Sequence, residues 1–164
     1  MPYTPIVATL GYVLSPDRER VLLVHRTARQ GDQHYGRYNG LGGKLEPAED
    51  VVAGMRRELR EEASIEADAL ALRATINWPG FGKHGEDWFG FVFLVTAFSG
   101  TPPASNPEGA LEWVPVSRLL ALELPLWPGD RFFLPLVFGP QPGVIHGVMP
   151  YENGQPTGWS YSLI

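Results

Sequence analysis

"GKLEPAEDVVAGMRRELREEASI", residues 43–65, changes character half-way along. It starts glycine- and proline-bearing, and from Ala48 it turns helical, with Pro47 suited to a first helical turn. Val51, Val52, Met55, Leu59 and Ala63 recur at helical spacing and form an apolar stripe. Glu58, Glu61 and Glu62 fall on the adjoining face, because positions three and four apart are neighbours on a helix. Like charges at that spacing repel by a few tenths of a kcal/mol per pair, roughly, unless something neutralises them. Two readings are open. One is a solvated face with Arg57 and Arg60 as partners. The other is a seat for a hard divalent cation, which takes oxygen ligands and is shared between carboxylates and substrate phosphates.

Upstream, "IVATLGYVL" (6–14) and "RVLLVHR" (20–26) read as strands about a turn at Ser15-Pro16-Asp17. "DQHYGRYNGLGGKLEP" (32–47) reads as a loop that becomes glycine-rich. Downstream, "LALRATINW" (70–78) and "WFGFVFLVTAF" (88–98) read as strands flanking a loop. "LEWVPV" (111–116) reads as a short strand and "SRLLAL" (117–122) as a short helix. "GDRFFLPLVFG" (129–139) has helical form despite Pro135. The tail, 143–164, has strand-turn-strand form with Asn153-Gly154 as the turn. Strands and helices mix without a regular alternation, so the expected class is α/β, a mixed sheet with helices packed on it. Residues 1–164 are expected to form one domain, with no linker or repeat.

Composition narrows the chemistry. The chain has no cysteine, which excludes disulfides, thiolate metal sites and a cysteine nucleophile and fits a reducing cytoplasm. Its first residues show no basic, apolar leader and no membrane segment is expected. The net charge of −5 and the lack of a basic stripe argue against duplex nucleic acid as a partner. An acidic protein still binds a phosphorylated small molecule if metal ions lie between the two negative charges.

Residues 43–65 fit G-x5-E-x7-R-E-U-x-E-E-x-G-U, U being aliphatic, at every fixed position except Ser64, where the pattern has glycine. The stretch resembles the Nudix box. The resemblance implies an α/β/α Nudix sandwich whose loop-helix-loop seats divalent metal, Mg²⁺ or Mn²⁺, on a diphosphate. Carried over, Glu58, Glu61 and Glu62 are metal ligands, Arg57 orients the carboxylates, and Glu49 supports the loop. A backbone carbonyl near Gly42 or Gly43 completes the set. Glu108 stands five residues before Trp113, where relatives place a metal-linked or base-like glutamate, with Glu112 as a competitor. Lys44 and Arg26 are candidate phosphate contacts. The four histidines, His25, His34, His84 and His146, show no metal-ligand spacing and read as structural or surface residues.

"RYNGLGGKLEP" before the box, "LEWVPV" after it, "LPLWPGDRFFLPL" (124–136) and the tail are similar to the MutT/MutX-like branch, the 8-oxo-dGTP diphosphatases. The implied reaction is hydrolysis of an oxidised purine dNTP to monophosphate and pyrophosphate, with water attacking the β-phosphorus. That branch has a purine-binding asparagine at the position of Asn39; the alternative is a turn residue. Trp127 is a candidate stacking surface or a core residue. Asp130 is a candidate base contact or a helix N-cap; the branch has two adjacent acids where this chain has Gly129-Asp130. Trp78 and Phe81 line the pocket or pack the core. The expected partner is a small nucleotide, handled by a monomer. Rival readings are another nucleotide substrate (a dinucleoside polyphosphate, an RNA 5′ end or another dNTP) and a non-catalytic nucleotide sensor. The box is shared with isopentenyl diphosphate isomerase, but that family would carry a catalytic cysteine.

Overall fold

The computed structural model describes residues 1–164. Its centre is a ten-stranded mixed sheet. Strand β1 (Ile6–Leu14) lies in the middle, antiparallel to β2 (Arg20–His25) and parallel to β6 (Trp88–Ser99). β6 continues to the long strand β5 (Glu66–Trp78), whose pairing is interrupted by bulges. β5 in turn pairs in parallel with β9 (Ile145–Val148), and β12 (Ser160–Leu163) closes that edge. On the other side β2 pairs with β8 (Gly109–Pro115), which carries the short β7 (Ser105–Asn106).

Alternation along each strand makes two cores. Tyr12, Leu14, Val21, Leu23, Ala74, Ile76 and Val92 face one way, and Val13, Leu22, Val24, Phe93 and Val95 the other. Helix α1 (Val51–Ala63) lays Met55, Leu59 and Ala63, all fully buried, on the second face. Burying a Met or Leu side chain contributes roughly 1.5–3 kcal/mol, so the stripe fixes the helix's rotation and with it the direction of the acidic face. Helices α2 (Val116–Leu120) and α3 (Asp130–Val137) cover the first face through Leu119, Phe133, Leu134 and Val137. The layers are helix, sheet, helix.

Three boundaries differ from the sequence-based expectation. Residues 32–47 are not all loop: Tyr38–Asn39 (β3) pairs with β2, and Leu41–Lys44 (β4) pairs with β1. The first helix starts at Val51, not at Ala48; Asp50 caps it, its carboxylate accepting from the Ala53 N–H at 2.8 Å, and Pro47 lies in the preceding turn. The fifth strand begins at Glu66, ahead of Leu70. The tail is a nested pair of hairpins. β10 (Tyr151–Glu152) and β11 (Gln155–Pro156) turn through Asn153 and Gly154, both at positive φ as a tight hairpin requires.

One side chain ties the tail to the body. The Arg73 guanidinium, on β5, donates to the carbonyls of Val137 (3.0 Å), Gly139 (3.0 Å), Gln141 (3.1 Å), Leu136 (3.3 Å) and Gly143 (3.4 Å). It thereby satisfies the orphan carbonyls at the end of α3 and pins the segment that leads into β9.

Candidate active site

Strand β4 brings the glycines beneath α1. A side chain on Gly43 would place its Cβ 2.5 Å from a Glu58 carboxylate oxygen, so only glycine lets this carboxylate lie against the strand. Gly42 packs as closely on the Thr9 carbonyl, and its own N–H donates to Glu62 at 3.3 Å.

Arg57 organises the acids around it. Its guanidinium grips Glu49 in a two-point pair (2.6 and 2.9 Å), donates to Glu58 at 3.0 Å and to Glu61 at 3.4 Å, and reaches the Lys44 carbonyl at 3.2 Å. Glu49 is held well acidic, at about 2, mainly by that hydrogen-bonded pair. The three glutamates on the helix face are not equivalent. The Glu58 side chain is 12% exposed, Glu61 is 59% exposed, and Glu62 is largely enclosed. Burial first, then the negative charges of Glu108 and Glu58, push the Glu62 carboxyl well up.

Glu108 comes from the turn between β7 and β8. Asn106 shapes its turn, accepting from the N–H groups of Glu108 (2.9 Å) and Gly109 (3.2 Å) while its amide donates to the Glu62 carbonyl at 3.1 Å. The β7–β8 turn is thus tied to the last turn of α1. Glu108 pairs with Arg26 at 3.4 Å, and Arg26 is held by Asp32 at 2.7 Å. Glu112, its competitor, points elsewhere: it pairs with His25 at 3.5 Å, 41% exposed, outside the cavity described next.

A cavity of about 370 Å³ runs from this acidic end into the first core. Gly42, Gly43, Lys44, Arg26 and Glu108 line its mouth. Asn39, Trp78, Phe81, Trp127 and Asp130 line its inner end, so the candidates from scattered stretches meet in one space. Glu58, Glu61 and Glu62 lie beside it rather than in its wall.

Several alternatives are resolved here. Asn39 is a strand residue, not a turn residue, and its buried amide nitrogen has no partner. Asp130 is not the N-cap of α3; Gly129 holds that position, and the enclosed Asp130 carboxyl makes no capping bond. Burial pushes it up to about 7, against the pull of the Arg37 charge and a backbone hydrogen bond. Trp127 is at once a core and a wall residue, with the Arg37 guanidinium 4.0 Å from the centre of its ring.

Other wall residues were not anticipated. His34, expected to be structural or on the surface, lines the cavity, as do Gln33, Trp88 and Tyr151. The Tyr151 hydroxyl accepts from the Gly129 N–H at 3.0 Å, bracing the segment that carries Trp127 and Asp130. The local sequence of "GDQHYG" held no pattern that marks His34; its place is set by the pairing of β3 with β2.

Likeness to known proteins can be set beside this geometry. The family model described as the NUDIX domain matches residues 4–137. The chain belongs to the Nudix family. It is 32% identical to the oxidized purine nucleoside triphosphate hydrolase of Mus musculus, over 94% of this chain and 92% of that one. It is 30% identical to a Nudix hydrolase of Bacillus subtilis, over 85% and 83% of the respective chains. The crystal structure of the MutT protein from Bacillus halodurans shares the fold, with a TM-score of 0.79 over 95% of this chain and 97% of that one, at 23% identity. The Nudix helix is therefore α1, and the Nudix loop is the segment from β4 to Asp50.

Nudix hydrolases generally use a divalent metal such as Mg²⁺. No three acidic or histidine side chains converge here as a finished cage. The donor set fits on independent grounds. All the charged ligand candidates are carboxylates, Gly43 leaves room for one of them against the backbone, and Glu62 lies close enough to Glu58 and Glu108 to be penalised for ionising without a cation.

Proposed function

We propose that this Nudix hydrolase is one domain that cleaves an oxidised purine deoxynucleoside triphosphate, 8-oxo-dGTP or a close relative, to the monophosphate and pyrophosphate with Mg²⁺ or Mn²⁺. The observation that carries the reading is the single cavity with two unlike ends. Its mouth has glycine backbone, two cations and Glu108, next to the acids of α1. Its inner end has flat aromatic walls and two enclosed hydrogen-bonding groups, Asn39 and Asp130. A phosphate chain suits the first and a polar-edged planar base suits the second.

In this reading Glu58, Glu61, Glu62, Glu108 and a Gly42 carbonyl would hold the metal, which would offset phosphate charge and make bound water more nucleophilic. Arg57 keeps the acids in place from behind. Lys44 and Arg26 bind the phosphates, and their charge counters that built up on the leaving oxygens. Trp78, Phe81 and Trp127 enclose the base. Asp130, near its midpoint at neutral pH, offers either an acceptor or a donor. An 8-oxo group turns N7 from an acceptor into a donor, so an acceptor placed there selects the oxidised base.

The test is a substrate panel with pyrophosphate detection, run on wild type and Glu62→Gln. Wild type is expected to need divalent metal and to prefer 8-oxo-dGTP to dGTP by about tenfold or more, the equivalent of one good hydrogen bond. Glu62→Gln is expected to lower kcat by about two orders of magnitude while keeping the fold. Equal rates on the two nucleotides would end the sanitising reading; a variant within a few-fold of wild type would end the metal assignment.

A further inference from the structure

Gly90 lies inside β6, paired with Ala8 on β1 and Ile76 on β5, and it lines the cavity. Glycine in a strand interior weakens the strand, and it often marks a place where another group must come close. Gly90 is not one of the glycines at positive φ, so its backbone conformation does not call for glycine. Trp78 does. A Cβ on Gly90 would stand 3.0 Å from Cη2 of the Trp78 ring and closer still to Cζ3, well inside contact distance. Both atoms belong to the outer edge of the six-membered ring. The indole edge therefore fills the place of the missing side chain.

The two residues share a face of the sheet. Trp78 follows Ala74 and Ile76 in alternation, Gly90 precedes Val92 in the same way, and Ala74, Ile76 and Val92 all belong to the first core. Phe81 and Phe133 flank the Trp78 ring, each with its centre 6.0 Å away. With aromatic neighbours on those sides and the sheet beneath, an indole pushed off Gly90 moves into the space that it walls, the cavity. Interiors are packed closely enough that one added methyl group has to be accommodated by such a shift.

We infer that Gly90 is a specificity-determining residue: its bare backbone seats the edge of Trp78 and so keeps the inner end of the cavity roomy enough for a two-ring base. The inference rests on the purine-nucleotide reading for the identity of its ligand. It adds a criterion of size to the hydrogen bonds offered by Asn39 and Asp130. With a side chain at position 90 the indole stands in the cavity, a two-ring base is turned away, and a one-ring base still enters.

The test is kcat/KM for 8-oxo-dGTP and for dCTP in wild type, Gly90→Ala, Trp78→Phe and the double variant. Wild type is expected to favour the purine by about tenfold or more, and Gly90→Ala to lose most of that ratio, since a single carbon group in a close-fitting pocket is worth about tenfold or more. The loss should fall mainly on KM for the purine. Phenylalanine lacks the outer ring edge, so adding Gly90→Ala to Trp78→Phe is expected to leave the ratio of Trp78→Phe unchanged. A purely structural role for Gly90 would lower both substrates together. Equal losses on the two substrates, or a ratio that Gly90→Ala leaves intact, overturn the inference and leave the proposed function standing. Should Gly90→Ala alone fail to fold, the double variant decides: a folded protein with the ratio of Trp78→Phe supports the inference, and one that stays unfolded or departs from that ratio overturns it. A wild type indifferent between the two bases overturns the proposed function and the inference with it.

Discussion

Glu58, Glu61 and Glu62 are equally spaced for one helix face, yet packing sorts them into two enclosed acids and one exposed acid. Their spacing and type were legible in the sequence. Their unequal burial was not, because it depends on how closely β4 and the β7–β8 turn approach α1. Asp130 is a sharper case. Nothing in "WPGD" shows that its carboxyl is enclosed, and a helix cap was the simpler reading. Its folded-state value, raised to about 7 by burial, has a consequence for stability. Between its ordinary value and about 7 the folded chain binds the proton and the unfolded chain does not, so stability falls as pH rises through that window. The full interval corresponds to on the order of 4 kcal/mol at 1.36 kcal/mol per pH unit. Asp130→Asn removes that penalty without changing size. The difference in Tm, variant minus wild type, is expected to grow as pH rises from 5 to 8, and a constant difference would mean that the carboxyl is already ionised at the lower pH.

At the level of elements, the strands with clear alternation, β1, β2 and β6, could be read from the sequence almost to the residue. β3 and β4 could not. They are short, β4 carries two glycines, and what makes them strands is pairing with residues 24–25 and 8–11, far off in sequence. The helix exit is a second instance. Ser64 stands where the family pattern has glycine, and it adopts the left-handed conformation itself, φ 54° and ψ 34°. Its N–H still reaches the Arg60 carbonyl at 3.1 Å, so the turn forms in spite of the side chain. A non-glycine residue there costs about 1–2 kcal/mol. Part of that returns on substitution, since glycine also loosens the unfolded chain. Ser64→Gly is expected to stabilise by about 1 kcal/mol, a rise of roughly 2–4 °C in Tm for a chain of this size. A fall in Tm would show that the serine side chain contributes something its conformation conceals.

Across the whole molecule, the layered class followed from mixed elements and period-two strands, whereas the meeting of Asn39, Trp127, Asp130 and Glu108 in one cavity did not. Those residues come from three stretches, and only the sheet order brings them together. Arg73 holds the last of the long-range pieces. Its charge-assisted bonds join α3 to the tail, and Arg73→Ala removes a donor from five carbonyls, of which Leu136 keeps other partners. A loss of about 2–3 kcal/mol is expected, scaled from single hydrogen bonds to a charged group. Thermal melting should show it as a drop of roughly 4–12 °C, and a change under one degree would mean that the tail is held elsewhere.

The tail has a wider significance. The Nudix match ends at residue 137, but Tyr151, beyond it, stands in the cavity wall and braces Gly129. The acidic end of the cavity draws nothing from that segment. The aromatic end of the cavity is therefore walled by both lengths of chain, and an exchange of residues 138–164 between relatives is expected to alter the support of Trp127 and Asp130 while leaving the acids of α1 as they are.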